Sequence, residues 1–226
     1  MTRILLADDH PLFRLALAQA VHAAAPGAQL LEAGSLAQTR EVLAMQPDTD
    51  LVLLDLHMPG SHGLLGLAVL RGEFPATAIA MVSAHDDAAT VRRALAHGAC
   101  AFVSKRCTLD ELTHALRSVL AGGDYAPASL RAALDQDRSD PVDSRLAARL
   151  ARLSPQQMRV LGLVADGLLN KQIADRLDVQ ERTVKAHLTA IFERLGVRNR
   201  TQAGVLLRSL EVLDPAAADA SSAGPP

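Results

Sequence analysis

The first half of the chain alternates two kinds of segment, and this alternation restricts its fold more than any other feature. Short apolar runs stand at Ile4–Ala7, Leu30–Ala33, Leu51–Leu54, Ala78–Val82 and Ala101–Val103. Stretches with helical spacing follow each of them, at Leu12–Ala24, Leu36–Met45, Leu64–Phe74, Ala88–His97 and Leu109–Leu120. Five strand candidates alternating with five helices read as a parallel sheet covered on both faces. Gly27, Gly34, Pro47, Pro59, Pro75 and Gly98 punctuate the joints, and Ser35 and Thr108 stand at helix N-cap positions.

After Gly122–Pro127 the pattern changes. The expected division is a sheet domain over 1–124, a linker over 125–150, a helical domain over 151–213 and a disordered tail over 214–226. A chain of 226 residues suits two modest domains. Charge is divided between them. Residues 1–124 carry nine Lys/Arg against thirteen Asp/Glu, whereas residues 151–210 carry ten against five. Two different partners are implied. With 2% aromatics and no Trp, base stacking on aromatic platforms is disfavoured. Cys100 and Cys107 lack metal-ligand spacing and read as reduced thiols. The first apolar run has neither a basic n-region of the signal-peptide kind nor a cleavage site, and no run is long enough to span a bilayer. The expected location is the cytoplasm, without a membrane partner.

In a parallel α/β sheet, ligands bind beyond the carboxyl ends of the strands. Here those ends carry Asp8 and Asp9, Asp55, Ser83, and Ser104 with Lys105. Taken singly, each is an ordinary turn, cap or solvated residue. Together they form a compatible set. Three carboxylates repel one another and call for a cation, and oxygen ligands suit Mg²⁺. A carboxylate can act as a nucleophile toward phosphorus. Lys105 and Ser83 can bind the phosphoryl oxygens. Gly60, Gly63 and Gly66 fit no nucleotide-binding spacing and read as a turn that opens a helix.

Ile4-Leu-Leu-Ala-Asp8-Asp9-His10-Pro11, Leu53-Leu-Asp55-Leu-His-Met-Pro59-Gly60, Ser83-Ala-His and Gly98-Ala-Cys-Ala-Phe102-Val-Ser-Lys105 resemble the receiver domain of bacterial response regulators. The resemblance covers about residues 1–124 and implies a flavodoxin-like, five-stranded sheet. It implies that Asp55 is the phosphoacceptor. Asp8, Asp9, Asp55 and the backbone carbonyl of His57 would hold Mg²⁺, Lys105 would pair with the phosphate, and Ser83 and Phe102 would be the hydroxyl and aromatic switch residues.

The second half shows only helix signals. Ser154-Pro155 is a cap followed by a first-turn proline, and Gly167 ends that helix. Asn170–Leu177 is a short helix, Asp178–Gln180 a tight connection and Glu181–Leu195 a longer helix closed by Gly196. Two helices joined by three residues form a helix-turn-helix. On the longer helix, Val184, Leu188, Ile191 and Leu195 fall on one stripe, and Arg182, Lys185, Ala186, Thr189 and Glu193 on the opposite one. Any amphipathic helix has a polar face. The short preceding helix and tight turn favour entry into a DNA groove.

This segment is similar to the C-terminal domain of the LuxR/NarL (FixJ-type) regulators. Leu153-Ser-Pro, Val160-Leu161, Gly167, Asn170-Lys171, Ile173-Ala174, Leu177, Thr183-Val184-Lys185, His187, Leu195-Gly196-Val197 and Asn199-Arg200-Thr201 carry the similarity. It implies a four-helix domain whose third helix enters the major groove. Lys185 and Ala186 would sit at base edges with Thr189 behind them, and Lys171, Thr183 and Arg200 would meet phosphates. Arg182 lies on the same face. The last helix, Thr201–Leu210, would support dimerisation. Gln157 and Gln172 replace the usual Glu, and Leu169 and Gln180 the usual Ser. A lost cap costs about 0.5–2 kcal/mol, so a less stable domain is expected. Gln180 is expected to hydrogen-bond locally.

The expected function is a non-enzymatic transcriptional regulator. A sensor histidine kinase donates a phosphoryl group to Asp55, the new charge pulls Ser83 and lets Phe102 move inward, and the altered receiver surface either releases the DNA domain or promotes dimerisation, so that an active homodimer binds double-stranded DNA. The alternative is a phosphorylation-independent DNA binder with an inert receiver domain; the complete acceptor set argues against it. An aspartate-nucleophile phosphatase needs a second carboxylate where His57 stands. A protein-binding adaptor is disfavoured by the basic charge of residues 151–210.

Overall fold

The computed structural model describes residues 1–130, 134 and 141–211. Most of the polar stretch Asp135–Asp143 and the expected tail 214–226 lie outside the described residues. Five strands, β1 (Arg3–Ala7), β2 (Gln29–Ala33), β3 (Leu51–Asp55), β4 (Ala78–Ser83) and β5 (Ala101–Ser104), alternate with α1 (Pro11–Ala24), α2 (Leu36–Met45), α3 (Leu64–Glu73), α4 (Ala88–Ala96) and α5 (Leu109–Leu120). The strands pair in parallel in the order β2-β1-β3-β4-β5.

Alternation along the strands divides the core. Ile4, Leu6, Leu51, Leu53, Val82 and Val103 point toward α1 and α5, whereas Leu5, Val52, Leu54, Met81 and Phe102 belong to the cluster on the other face. Both sets are buried because each face is covered by helices. Caps form where short polar residues precede helices. Ser35 accepts from Gln38 N–H, and Thr108 with Glu111 closes a reciprocal box at α5. Asp87, not Ser83, caps α4.

The segment expected as a linker contains a helix, α6 (Pro141–Leu150). Its Leu146 and Leu150 are buried in the larger core cluster. The helical domain follows as α7 (Pro155–Ala165), α8 (Asn170–Leu177), α9 (Glu181–Leu195) and α10 (Arg200–Arg208). Asp178 turns the chain between α8 and α9 in a left-handed conformation (φ 51°), which Asp tolerates better than most residues.

Substitution costs less at the caps than the sequence suggests. Gln157 closes a box with Ser154, doing what Glu would. Leu169 offers no acceptor, but its N–H donates to Gln172 Oε1 at 2.8 Å. Gln180 makes no side-chain cap bond, contrary to expectation, so the start of α9 is the uncompensated position.

The two domains share one core. Residues Leu64–Leu70 of α3 are buried all round, because the sheet covers one side and α7 the other. A Cβ on Gly72 would lie 2.9 Å from Met158 Cγ, and one on Gly162 3.9 Å from Val69. The sequence predicts α3 as one of the helices covering the sheet; the unbroken apolar run around its whole circumference is the signature of burial on both sides. Each fully buried Leu contributes roughly 1.5–3 kcal/mol, so this contact is a substantial part of the fold.

Candidate functional site

The strand order places a switch point between β1 and β3, where ligands bind in such sheets. Ala7 lies opposite Leu54, so the next residues, Asp8 and Asp55, emerge side by side. Both are buried. Lys105 follows β5 and reaches across the rim. Its ammonium is 2.7 Å from Asp8 Oδ2 and 3.0 Å from Asp55 Oδ2, over the face of Phe13. Burial pushes the Asp55 carboxyl above its ordinary value, and Lys105 opposes that shift. His57 N–H donates to Asp55 Oδ1 at 3.3 Å.

The rim thus unites Asp8, Asp9, Asp55 and Lys105 as the sequence implies. It adds His10, which the sequence reading passed over although it directly follows the Asp pair. His10 Nδ1 lies 2.8 Å from Asp9 Oδ1 and 3.3 Å from Asp8 Oδ1. Asp8, Asp9, His10 and Asp55 each offer a ligand atom, all within 4.8 Å of one another. Asp8 Oδ2 and Asp55 Oδ2 are buried facing the Lys105 ammonium, and Asp9 Oδ1 is buried facing His10. That donor set fits a hard divalent cation. The His57 ring packs 4.8 Å from that of His85.

The two expected switch residues are both buried. Ser83 Oγ accepts from His85 N–H at 3.0 Å. Phe102 is 0% exposed, with its ring inside the core in this structure. Its N–H donates to Tyr125 O at 2.9 Å, which ties the strand to the segment after α5.

The loop leaving Asp55 also meets the helical domain. Ser61 Oγ donates to the Leu56 and Gly63 carbonyls, holding the loop closed on itself. His62 then reaches Asp166 across the domain boundary, and Leu64 N–H donates to Leu210 O at 3.0 Å. On α4, Arg93 pairs with Asp143 of α6 at 3.2 Å and donates to the Ser209 carbonyl.

On α9, Val184, Leu188, Ile191 and Leu195 are buried, while Arg182, Lys185, Ala186 and Thr189 are exposed. Lys171 on α8 is exposed, and Thr183 is half-buried. Lys185 pairs with Glu181 one turn earlier at 2.9 Å, and Thr189 Oγ1 donates back to Lys185 O. Arg200 departs from expectation. It is half-buried, and its Nη2 donates to Leu168 O at 2.7 Å and Val164 O at 3.3 Å. It satisfies carbonyls at the end of α7, an internal role that competes with a phosphate contact.

Comparison with known proteins follows the same division. Residues 4–117 match the family described as response regulator receiver domain, and residues 151–207 match the bacterial regulatory proteins of the luxR family. The chain is 39% identical over 206 residues to a glycerol metabolism activator of Pseudomonas putida, covering 90% of this chain and 93% of that one. It is 33% identical to the nitrate/nitrite response regulator NarL of Escherichia coli K12, over 89% of this chain and 93% of NarL. Its backbone resembles RcsB of Salmonella typhimurium with a TM-score of 0.55 at 22% identity, covering 92% of this chain and 98% of RcsB.

Proposed function

The chain belongs to the response regulators that join a receiver domain to a LuxR-family DNA-binding domain, and on that premise we propose that a phosphoryl group on Asp55 controls its binding to double-stranded DNA. The observation that carries this reading is Lys105 lying between Asp8 and Asp55 at the end of the central strands. A sensor histidine kinase supplies the phosphoryl group. An Asp55 carboxylate oxygen bonds to phosphorus as the bond from phosphorus to the donor breaks. Lys105 steadies the developing charge, and Ser83, at the end of the adjacent strand β4, is the hydroxyl that receives a phosphoryl oxygen. When bound, Mg²⁺ at Asp8, Asp9, Asp55 and the His57 carbonyl neutralises phosphoryl charge.

The signal leaves through the loop that follows Asp55. Six residues separate Asp55 from His62, which bonds to Asp166 of the helical domain. New charge at Asp55 changes what the loop must satisfy, and the loop is anchored to Asp166 and Leu210. Lys171, Arg182, Thr183, Lys185, Ala186 and Thr189 form the DNA face. Helix α10, with Val205 exposed, supports a homodimer. Among the described residues no helix is long and apolar enough to cross a membrane; the reading is a cytoplasmic regulator that is not itself an enzyme. The domains are taken as 1–124 and 151–213.

The direct test is labelling by a small phosphoryl donor. The wild type should be labelled, and both Asp55→Ala and removal of Mg²⁺ should abolish labelling. Retained label on Asp55→Ala would remove Asp55 as acceptor.

A further inference from the structure

Helices α3 and α4 of the receiver and α6 border a cavity of about 760 Å³, a volume typical of small-molecule sites. None of the strand-end residues of the phosphoacceptor rim lines it. Its walls are small and aliphatic, with Ala68 from α3, Leu95 from α4, and Ala147 and Ala151 from α6 and its end. Arg71, Arg92 and His97 also line it, and among the described residues no carboxylate does. Arg92 is already engaged. Arg71 is half-buried and has no ion pair among the described residues; its Nη1 donates at long range, to Pro75 O at 3.4 Å and Thr77 O at 3.3 Å. Gly98, with φ 92°, lets this side chain lie over the turn after α4, since a Cβ there would stand 3.2 Å from Arg71 Nε. Asp143, the acid of α6 that acts on His97, is taken by Arg93 at 3.2 Å. His97 is 7% exposed, and its buried Nε2 has no hydrogen-bond partner. A buried polar atom left alone calls for an explanation, and a ligand in the cavity supplies one.

We propose that this cavity binds a small organic carboxylate with an apolar body. The carboxylate accepts from the Arg71 guanidinium and from His97 Nε2–H, and the body lies against Ala68, Leu95, Ala147 and Ala151. A guanidinium matches the planar fork of a carboxylate. A neutral imidazole adds a donor without adding charge. Aliphatic walls favour such a ligand over inorganic phosphate, which seeks hydrogen bonds on every side. Two of the three walls belong to the receiver and the third to α6, which leads into the DNA-binding domain. A ligand that needs all three walls binds the arrangement in which α6 is docked better than any other, and so raises its population. The joint between the domains then responds to a small molecule as well as to phosphorylation. The site stands whether or not Asp55 is the acceptor.

The test uses the full-length, unphosphorylated chain, with para-fluorobenzoate followed by fluorine NMR and hexanoate by calorimetry. The wild type should bind both. Hexanamide, the neutral counterpart of hexanoate, should bind roughly tenfold more weakly or worse, as expected when a hydrogen bond to a charged group is lost. Inorganic phosphate should bind more weakly than either carboxylate. Arg71→Met should cost roughly tenfold or more in affinity for hexanoate, Arg71→Lys should recover part of it, and His97→Phe should also weaken binding. Ala147→Trp, which fills the cavity from α6, should abolish binding of both probes. Absence of binding by both carboxylates at millimolar concentration would overturn the proposal. So would affinity unchanged by Arg71→Met and Ala147→Trp, equal affinity for hexanoate and hexanamide, or phosphate bound as tightly as the carboxylates. The comparison of hexanoate with hexanamide needs no variant, so it decides the point even where a substitution unfolds the chain.

Discussion

His62 Nε2 lies 2.7 Å from Asp166 Oδ1, joining the loop that leaves the phosphoacceptor strand to the end of the first helix of the DNA-binding domain. His62 has φ 47°, a left-handed conformation uncommon for a residue other than glycine. The backbone is held away from its preferred region where the two domains meet, which makes this joint a candidate for the element that changes on phosphorylation.

The joint can be opened without touching the acceptor. Gly72 faces Met158 so closely that any Cβ would stand 2.9 Å from its Cγ. Gly72→Leu should force α3 and α7 apart while improving helix propensity within α3. Small-angle scattering should show a larger radius of gyration with the receiver's circular dichroism retained. An unchanged radius would show that the interface absorbs the side chain.

Two basic residues of the DNA-binding domain should behave differently. Lys185 is exposed on α9, and Lys185→Ala should weaken DNA binding and, if it meets a phosphate, lower the salt slope by about one. Arg200 closes α7 internally, and Arg200→Ala should instead destabilise the domain, by about 1.5–3 kcal/mol before discounting for its half-exposed position. Denaturant unfolding and salt-dependent binding separate the two. Equal salt slopes for wild type and Arg200→Ala would support the internal role, and a slope lower by about one would restore Arg200 to the DNA interface.

His97 gives the domain joint a dependence on pH. Burial holds its imidazole below the ordinary value, Arg93 adds to this and Asp143 opposes it. The unfolded chain therefore takes up the proton first, so this contribution is fully present above about pH 6.5 and is lost as pH falls below it. His97→Gln should flatten the decline in stability between neutral and mildly acidic pH. A decline equally steep in the variant would assign it to other groups.

Much of this was legible because strand and helix periods differ. The helices Leu36–Met45, Leu109–Leu120, Asn170–Leu177 and Glu181–Leu195 begin and end where spacing and caps place them. The rim of Asp8, Asp55 and Lys105 followed from the parallel topology, which brings strand ends together whatever their distance along the chain. What was not legible depends on packing between distant segments. The burial of α3 on both sides needs α7, and Arg200's role needs the carbonyls of Val164 and Leu168. The buried Phe102 and the reach of His10 are rotamer choices that no spacing encodes.

The central claim is that Asp55 governs DNA binding. It is tested most directly by footprinting the full-length chain on its own genomic DNA, with and without a phosphoryl donor and Mg²⁺, beside Asp55→Ala. The wild type should gain or strengthen protected sites when phosphorylated, and Asp55→Ala should show the same footprints under both conditions. Wild-type footprints that do not respond to phosphorylation would contradict the account and identify a DNA binder with an inert receiver domain.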